Sequence, residues 1–510
     1  MSFSTVVLAI GMVACSVVFY HFQLHSGPSQ PSLIKGYIPF LGVAKDLLFD
    51  PRDLFNRAYK RCGWIYSIYA GGHKMIIVTD PIHGMKQVMT QTRIFGNEDF
   101  FSYLDLKLFK YTKRVDSDVQ FMSDLRNCVM RNVSPPLNQR CIEELRAHFR
   151  DLVGPASSLY NEVGREKNGK IVDAYDLSRV CMIKAAALAM FGDQFPTDEI
   201  LAPYTIFENN IAKYVSGIPG IFLKSIYEAR AEVLRLLGKF STEFELTPDS
   251  PNFIGGIYKI FKDNGKYTEE EDFAGYFLSI LFASMSNSVP AACWYLMFML
   301  NSPGMIKKIE CIIQDHVDQK SGELDWKSVY ELPELESAFK ETVRLTSNVT
   351  LNRYVTNDTK VKIAQPTDNK LYKEYNLNKG DNVIIFTSLS HWNEEAFPDP
   401  MTFYPQRFLP GNKSLLPHEK LSVSEQDDPG NPAWKSYIPW GGGKHMCPGR
   451  HLAKVEAISQ LIYLISYYQI TPQLQSVPEM SISGNFGTGA IRPLTDYPIK
   501  LEIREKPLMN

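Results

Sequence analysis

Apolar residues recur along most of the chain at three- and four-residue spacing, and only short stretches carry nearly unbroken apolar runs. The first pattern predicts helices over 137–152, 273–300, 305–317, 334–345 and 449–468, because 3.6 residues per turn gathers such positions on one face. The runs at 75–78 and 382–386, with a further pair around Ile491 and over 499–503, predict strands. Helix outweighs strand, so the fold class is mainly α with small β-sheets. Glu269-Glu270-Glu271-Asp272 reads as a solvated helix start, where carboxylates suit the positive end of the dipole. Pro290, inside the long 273–300 pattern, removes a backbone donor and should bend that helix.

The amino-terminal pattern differs. Residues 1 to 34 contain no Asp, Glu, Lys or Arg, and residues 5 to 22 are almost entirely apolar. About 20 helical residues cross a hydrocarbon core, so 1–26 is read as a transmembrane anchor. A cleaved secretory signal is the competing reading, but it lacks a basic leader, and Ala14-Cys15-Ser16 makes a poor cleavage site. Residues 27–40, rich in Gly, Pro and Ser, form a stiff hinge. No repeat, low-complexity tract or second linker follows, so 41–510 is expected to be one large catalytic domain.

With 510 residues, 45% hydrophobic and 22% charged, the body is an ordinary globular chain. Its 54 basic residues nearly balance its 56 acidic ones, for a net charge of -2. That balance argues against nucleic acid as a partner. Eight cysteines without a C-x-x-C pair fit a reducing compartment better than a disulfide framework.

One cysteine has surroundings that suggest chemistry. In Trp440-Gly441-Gly442-Gly443-Lys444-His445-Met446-Cys447-Pro448-Gly449-Arg450, the glycines allow close backbone approach, and Cys447 just precedes a helix whose first residue is expected to be Pro448. A helix start favours thiolate over thiol. Such a thiolate can act as a nucleophile or as an axial ligand to iron. A nucleophile needs a base, and neither His445 nor His451 need face Cys447.

The segment resembles the haem-ligand signature F-x-x-G-x-x-x-C-x-G of the cytochrome P-450 family, with Trp440, Gly443, Cys447 and Gly449 in its positions and Trp replacing Phe. Glu341-Thr342-Val343-Arg344 is similar to the family's E-x-x-R helix. Phe397-Pro398-Asp399-Pro400, running into Pro405-Gln406-Arg407-Phe408, resembles the segment whose arginine completes a buried triad with that pair. The resemblance implies the cytochrome P-450 fold, haem b with Cys447 as its axial thiolate, and a monooxygenase. It also implies His445 and Arg353 as charge partners for haem propionates, and makes Glu341, Arg344 and Arg407 supports of the cysteine loop. The family's early-helix tryptophan is missing from Phe121 to Arg131, which offers Arg126 and Arg131 instead.

On the long helix the family places an acid and a threonine, the hydroxyl relaying protons for oxygen activation. Here Asn287 and Ser288 occupy those places, followed by Pro290. This arrangement is similar to the branch containing sterol 7-alpha- and 12-alpha-hydroxylases and prostacyclin synthase. Ser288 as a proton relay favours monooxygenation over isomerisation, and its plainer role is to bond local backbone carbonyls; the resemblance to that branch implies hydroxylation of a sterol, steroid or triterpenoid. Two alternatives stay open: a haem-thiolate isomerase of a lipid endoperoxide, and a monooxygenase of another secondary metabolite. A monooxygenase of this type takes electrons from NADPH through NADPH-cytochrome P-450 reductase, with cytochrome b5 as a further donor. It would sit in the endoplasmic reticulum membrane as a single-pass protein with a cytosolic catalytic domain. Phe282, Ala283, Val349, Leu351, Phe486 and Ile491 are the expected apolar lining of a pocket for a lipophilic substrate.

Overall fold

The computed structural model describes residues 29–36, 41–81, 83–150, 162–166, 169–215, 220–365, 368–394, 396–409, 436–480, 482 and 487–509. The expected anchor over 1–26, part of the hinge, and Phe486 lie outside these residues. Helices that position the site are α1 (Gly84–Thr90), α2 (Pro135–Arg150), α3 (Ala174–Phe191), α4 (Lys224–Glu243), α5 (Glu270–Met285), α6 (Ser288–Asn301), α7 (Pro333–Thr346) and α8 (Arg450–Tyr467). The helical expectations hold to within one or two residues at most ends, where fraying makes boundaries soft. Asp272 and Glu269 form a reciprocal capping box that starts α5, so the acidic cluster does open a helix.

The long helix is broken rather than bent. Pro290 has no N–H to offer the carbonyl of Ser286, and the chain separates into α5 and α6 at Ser286 and Asn287, four residues earlier. Pro290 then falls in the first turn of α6, where a backbone donor would be unpaired anyway. Ser286 N–H closes α5 on Phe282 O at 3.0 Å, and Ala291 N–H opens α6 on Asn287 O at 3.2 Å.

Buried residues surround α6 on nearly every side, with Cys293, Trp294, Tyr295, Leu296, Met297 and Met299 all fully buried. It packs against α3, α7 and α8, and α8 packs in turn on α2. Taken through the break, Glu270–Asn301 is long and apolar enough to cross a membrane, yet most of it is buried inside the domain, as a core helix must be.

The main sheet places three strands beside this bundle. They are β1 (Ser347–Val355), β2 (Asn382–Phe386) and β3 (Thr488–Ala490). β1 runs antiparallel to both others, with Ile384 opposite Asn352 and Gly489 opposite Asn348. Its first residues continue directly from α7, so the E-x-x-R helix runs straight into the sheet.

Candidate functional site

The site begins with a buried ion cluster. Glu341, Arg344 and Arg407 are each 0% exposed. Arg344 grips Glu341 through two bonds, Nε to Oε2 at 2.7 Å and Nη2 to Oε1 at 2.9 Å, and Arg407 Nε donates to Oε1 at 2.8 Å. Arg407 also donates to the carbonyls of Pro398, Asp399 and Thr402, which fixes the loop that carries it. Charges this deep are tolerable because every one is paired and bonded.

The cluster reaches the cysteine loop through a residue that sequence reasoning had passed over. Arg344 Nη1 donates to the carbonyl of His391 at 2.7 Å, and His391 Nε2 accepts the backbone N–H of Ile438 at 3.0 Å. Ile438 O then receives Gly441 N–H at 3.1 Å, and Trp440 O receives Cys447 N–H at 2.9 Å. A continuous bonded path therefore joins Glu341 to Cys447. His391 lies 47 residues from both of its partners, so no local pattern points to it.

Burial, with the Arg344 charge beside it, lowers the His391 pKa from its usual 6.5 to about 3. A chain that unfolds regains a histidine of ordinary pKa. Between pH 6.5 and 3 the unfolded state binds a proton that the folded state refuses, so stability contributed here is lost as pH falls through that window. His391→Gln keeps an acceptor for Ile438 N–H but cannot titrate. Its unfolding midpoint is expected to fall less steeply on acidification than the wild type's, read by urea denaturation from pH 7 to 4; parallel curves would count against this.

The loop itself is pressed against α1. Gly443 has φ +64°, and a Cβ there would lie 2.4 Å from Met89 O, so no other residue fits. Trp440 stacks at 6.3 Å and 24° on Phe339 of α7. The helix starts later than expected: Gly449 caps α8 and Arg450 is its first residue, so Pro448 precedes the cap instead of opening the helix. The backbone N–H groups of Gly449 and Arg450 bond the Cys447 sulfur. Burial nevertheless pushes the thiol above its ordinary pKa, more than these bonds and the Arg450 charge lower it. The helix start alone does not make a thiolate; a cation at the sulfur would.

A cavity of about 330 Å³ opens beside Cys447. Trp440, His445, Cys447 and Gly449 line it together with Ala283, Asn287 and Ser288 from the α5–α6 break, and Val349 and Leu351 from β1. Of the expected lining, Phe282 packs instead on Phe109 and Phe207, with ring centroids at 5.5 and 6.3 Å. Ile491 is buried, tied by its N–H to Thr346 O at 2.8 Å. Gly443 and Arg353 are also absent from the lining. Arg353 shares its strand face with Val349 and Leu351, four and two residues away, and donates to Asn352 O at 2.8 Å.

Ser288 and Asn287 both reach the cavity, and both have backbone partners. Ser288 Oγ donates to Ser284 O at 2.7 Å, the local role open to a serine at a helix break. Asn287 Oδ1 accepts Ala490 N–H at 2.9 Å and so pins β3 to the break. Gly489 beside it has φ +133°, and a Cβ there would sit 2.4 Å from Asn287 Oδ1.

One further wall residue was missed, Glu456 of α8, which is 1% exposed. Its sequence signal is that of the one acidic residue in α8, set among the apolar positions of its stripe.

The donor set suits haem iron. Among the described residues no three His, Cys, Asp or Glu side chains gather as a metal site. A single cysteine thiol on the cavity wall therefore fits a metal that arrives with a macrocycle supplying its other ligands. Lys454 bonds Tyr330 O and Glu336, and Lys340 pairs with the same glutamate, which leaves Lys444 exposed.

The sequence profile described as Cytochrome P450 matches residues 28–497. Similar proteins include cholesterol 7-alpha-monooxygenase of Cricetulus griseus, 23% identical over 98% of this chain and 99% of its own. The 5-beta-cholestane-3-alpha,7-alpha-diol 12-alpha-hydroxylase of Sus scrofa is 24% identical over 94% of each chain. Prostacyclin synthase of Homo sapiens is 23% identical over 94% of this chain and 95% of its own.

Proposed function

Because the chain belongs to the cytochrome P450 family, we propose that this monooxygenase hydroxylates a sterol, or a related steroid or triterpenoid, at an unactivated C–H bond, with Cys447 as the thiolate ligand of haem b. One observation carries the reading: a single, mostly aliphatic cavity is walled both by the Cys447 loop and by the α5–α6 break. Its few polar groups suit a lipophilic skeleton that bears scattered oxygens. The sterol hydroxylases among its relatives favour that substrate class.

Bound there, a haem with a thiolate ligand supplies the activation of O2 that inserts one oxygen atom into the substrate. The chain's residues do the rest. Gly449 and Arg450 N–H groups hold the sulfur and tune its basicity. Trp440 and Gly443 shape the loop, and His445 and Arg353 are charge partners for the propionates. Ser288 moves protons into the cavity, while Asn287 holds β3 in place. Electrons come from NADPH through NADPH-cytochrome P-450 reductase, with cytochrome b5 assisting. The uncharged first 34 residues support an anchor at 1–26 and a hinge at 27–40. They hold the 41–510 domain on the cytosolic face of the endoplasmic reticulum.

The test is a reduced, carbon monoxide-treated spectrum, followed by turnover of a sterol panel with NADPH and reductase. A thiolate-haem band and a product heavier by one oxygen atom are expected. No such band ends the haem assignment. Rearrangement of a lipid endoperoxide without NADPH, with sterols inert, replaces hydroxylation by isomerisation.

A further inference from the structure

We propose that Met89 of α1 and Gly442 of the cysteine loop form a knob-and-socket pair that sets the position of the Cys447 sulfur, so that α1 acts as a clamp on the axial ligand. The inference deepens the haem-thiolate reading above and rests on it. The three consecutive glycines of the loop answer to different needs. Gly441 and Gly443 have φ of +67° and +64°, a region that other residues enter only with strain. Gly442 is extended, with φ -164° and ψ 172°, a conformation open to any residue. What Gly442 lacks is room. A Cβ there would lie 2.8 Å from Met89 Sδ and 3.3 Å from Met89 Cε, well inside the distance at which non-bonded atoms attract. The absent side chain therefore makes a socket for the Met89 thioether.

A knob positions its socket only if the element behind it is held, and α1 is held from behind. The Asp80 carboxylate, 0% exposed, caps its amino end by accepting Gly84 N–H at 2.9 Å and His83 N–H at 3.3 Å. The same carboxylate accepts Ala364 N–H at 2.8 Å, which ties α1 to the antiparallel hairpin of Thr359–Gln365 and Asp368–Leu377. Gln87 completes that seam, donating from Nε2 to Lys362 O at 2.9 Å and accepting Lys362 N–H at 3.3 Å. Gly84 lies so close to Ile363 and Val78 that a Cβ would meet them at 2.7 and 2.8 Å.

With its back filled in this way, α1 presses forward on two successive glycines, on Gly442 through the Met89 side chain and on Gly443 through Met89 O. The loop passes the constraint on. Met446 N–H bonds Gly443 O at 3.2 Å and Cys447 N–H bonds Trp440 O at 2.9 Å, so the ring of backbone that carries the sulfur closes around Gly442. Met89 touches no reacting atom and acts through the loop, which makes it a positioning residue.

A size-swap cycle in the full-length protein as purified tests the pair. Hydrogen exchange at Cys447 N–H reads how often the loop opens. Gly442→Ala should speed it by about tenfold, because the new methyl drives the loop off α1. Met89→Ala, which empties the socket, should speed it by about threefold. The two changes together should exchange about threefold more slowly than Gly442→Ala alone, because the methyl then occupies the vacated space, whereas independent effects would multiply. In haem-loaded protein, the thiolate share of the reduced carbon monoxide spectrum should be lowest in Gly442→Ala and partly recovered in the double variant. Lys86→Ala, on the exposed face of α1, should match the wild type in both measurements. A Gly442→Ala protein that exchanges like the wild type, or a double variant faster than Gly442→Ala, overturns the pairing. If Gly442→Ala does not fold, wild-type exchange in Met89→Ala overturns it. Coupled exchange rates with an unchanged thiolate share in every variant overturn the role of α1 as a clamp on the ligand. A wild-type protein without a thiolate-haem band overturns the axial-ligand reading, which the exchange rates do not depend on.

Discussion

In Cys447→Ala, the reduced carbon monoxide band of a thiolate-ligated haem is expected to vanish and turnover to fall below detection, while the chain stays folded. Cys447 is the one thiol among the described residues that line the cavity, and the Met190 thioether that lines it too cannot become an anionic ligand. Mutating an outer partner of a metal ligand costs about 10- to 100-fold, and loss of the ligand itself should exceed that. Stability should change by less than about 1 kcal/mol, because the side chain is only partly buried and lies outside the packed clusters. Cys181→Ala supplies the contrast. That thiol is 1% exposed in α3, so its loss should cost about 1 kcal/mol and leave the spectrum unchanged. Haem content per chain, the spectrum and the urea midpoint separate the two. A thiolate band retained in Cys447→Ala would move the ligand elsewhere.

Much of this contrast was legible in the sequence, because local features carry it. Three glycines, a cysteine and the start of an apolar stripe lie within a dozen residues, and α8 follows where the stripe predicts it. The Glu341–Arg344 pair is equally local, being one helical turn apart. What the pattern could not show is which contacts close over long separations. His391 reads as one polar residue after a strand, and becomes a strut only because Arg344 and Ile438 meet it from 47 residues away on either side.

Glu456 is a different case. It is the one acidic residue in the eighteen of α8, and α8 is apolar around most of its circumference. A helix of that kind is buried, so a lone carboxylate on it has to be neutral or paired. That signal was present in the sequence. It was masked by the apolar stripe, which explains the helix without it. The break at Ser286 and Asn287 was anticipated in kind, since Pro290 had to disturb the helix, but not in place. The missing donor acts on the carbonyl four residues back, where a pattern of side chains has nothing to mark it.

Glu341→Gln is expected to be the most damaging isosteric change in the domain. The amide keeps the volume but removes the charge, and leaves two guanidinium groups at 0% exposure facing each other without an anion. Breaking a buried pair from one side costs about 3 to 5 kcal/mol. That is a large share of the roughly 5 to 15 kcal/mol that holds a typical domain together. The surface pair Lys308–Glu334, at 3.2 Å but largely hydrated, should lose less than about 1 kcal/mol on Lys308→Ala. The cost should also appear at the cysteine. Glu341 orients Arg344, Arg344 holds the His391 carbonyl, and His391 holds Ile438 at the base of the loop. Whatever folded fraction remains should therefore show a weakened thiolate band and lose haem faster on dilution. Urea midpoints, haem release rates and the carbon monoxide spectrum of Glu341→Gln beside Lys308→Ala test both halves. A Glu341→Gln protein as stable as Lys308→Ala would mean that the triad contributes neither stability nor placement of Cys447.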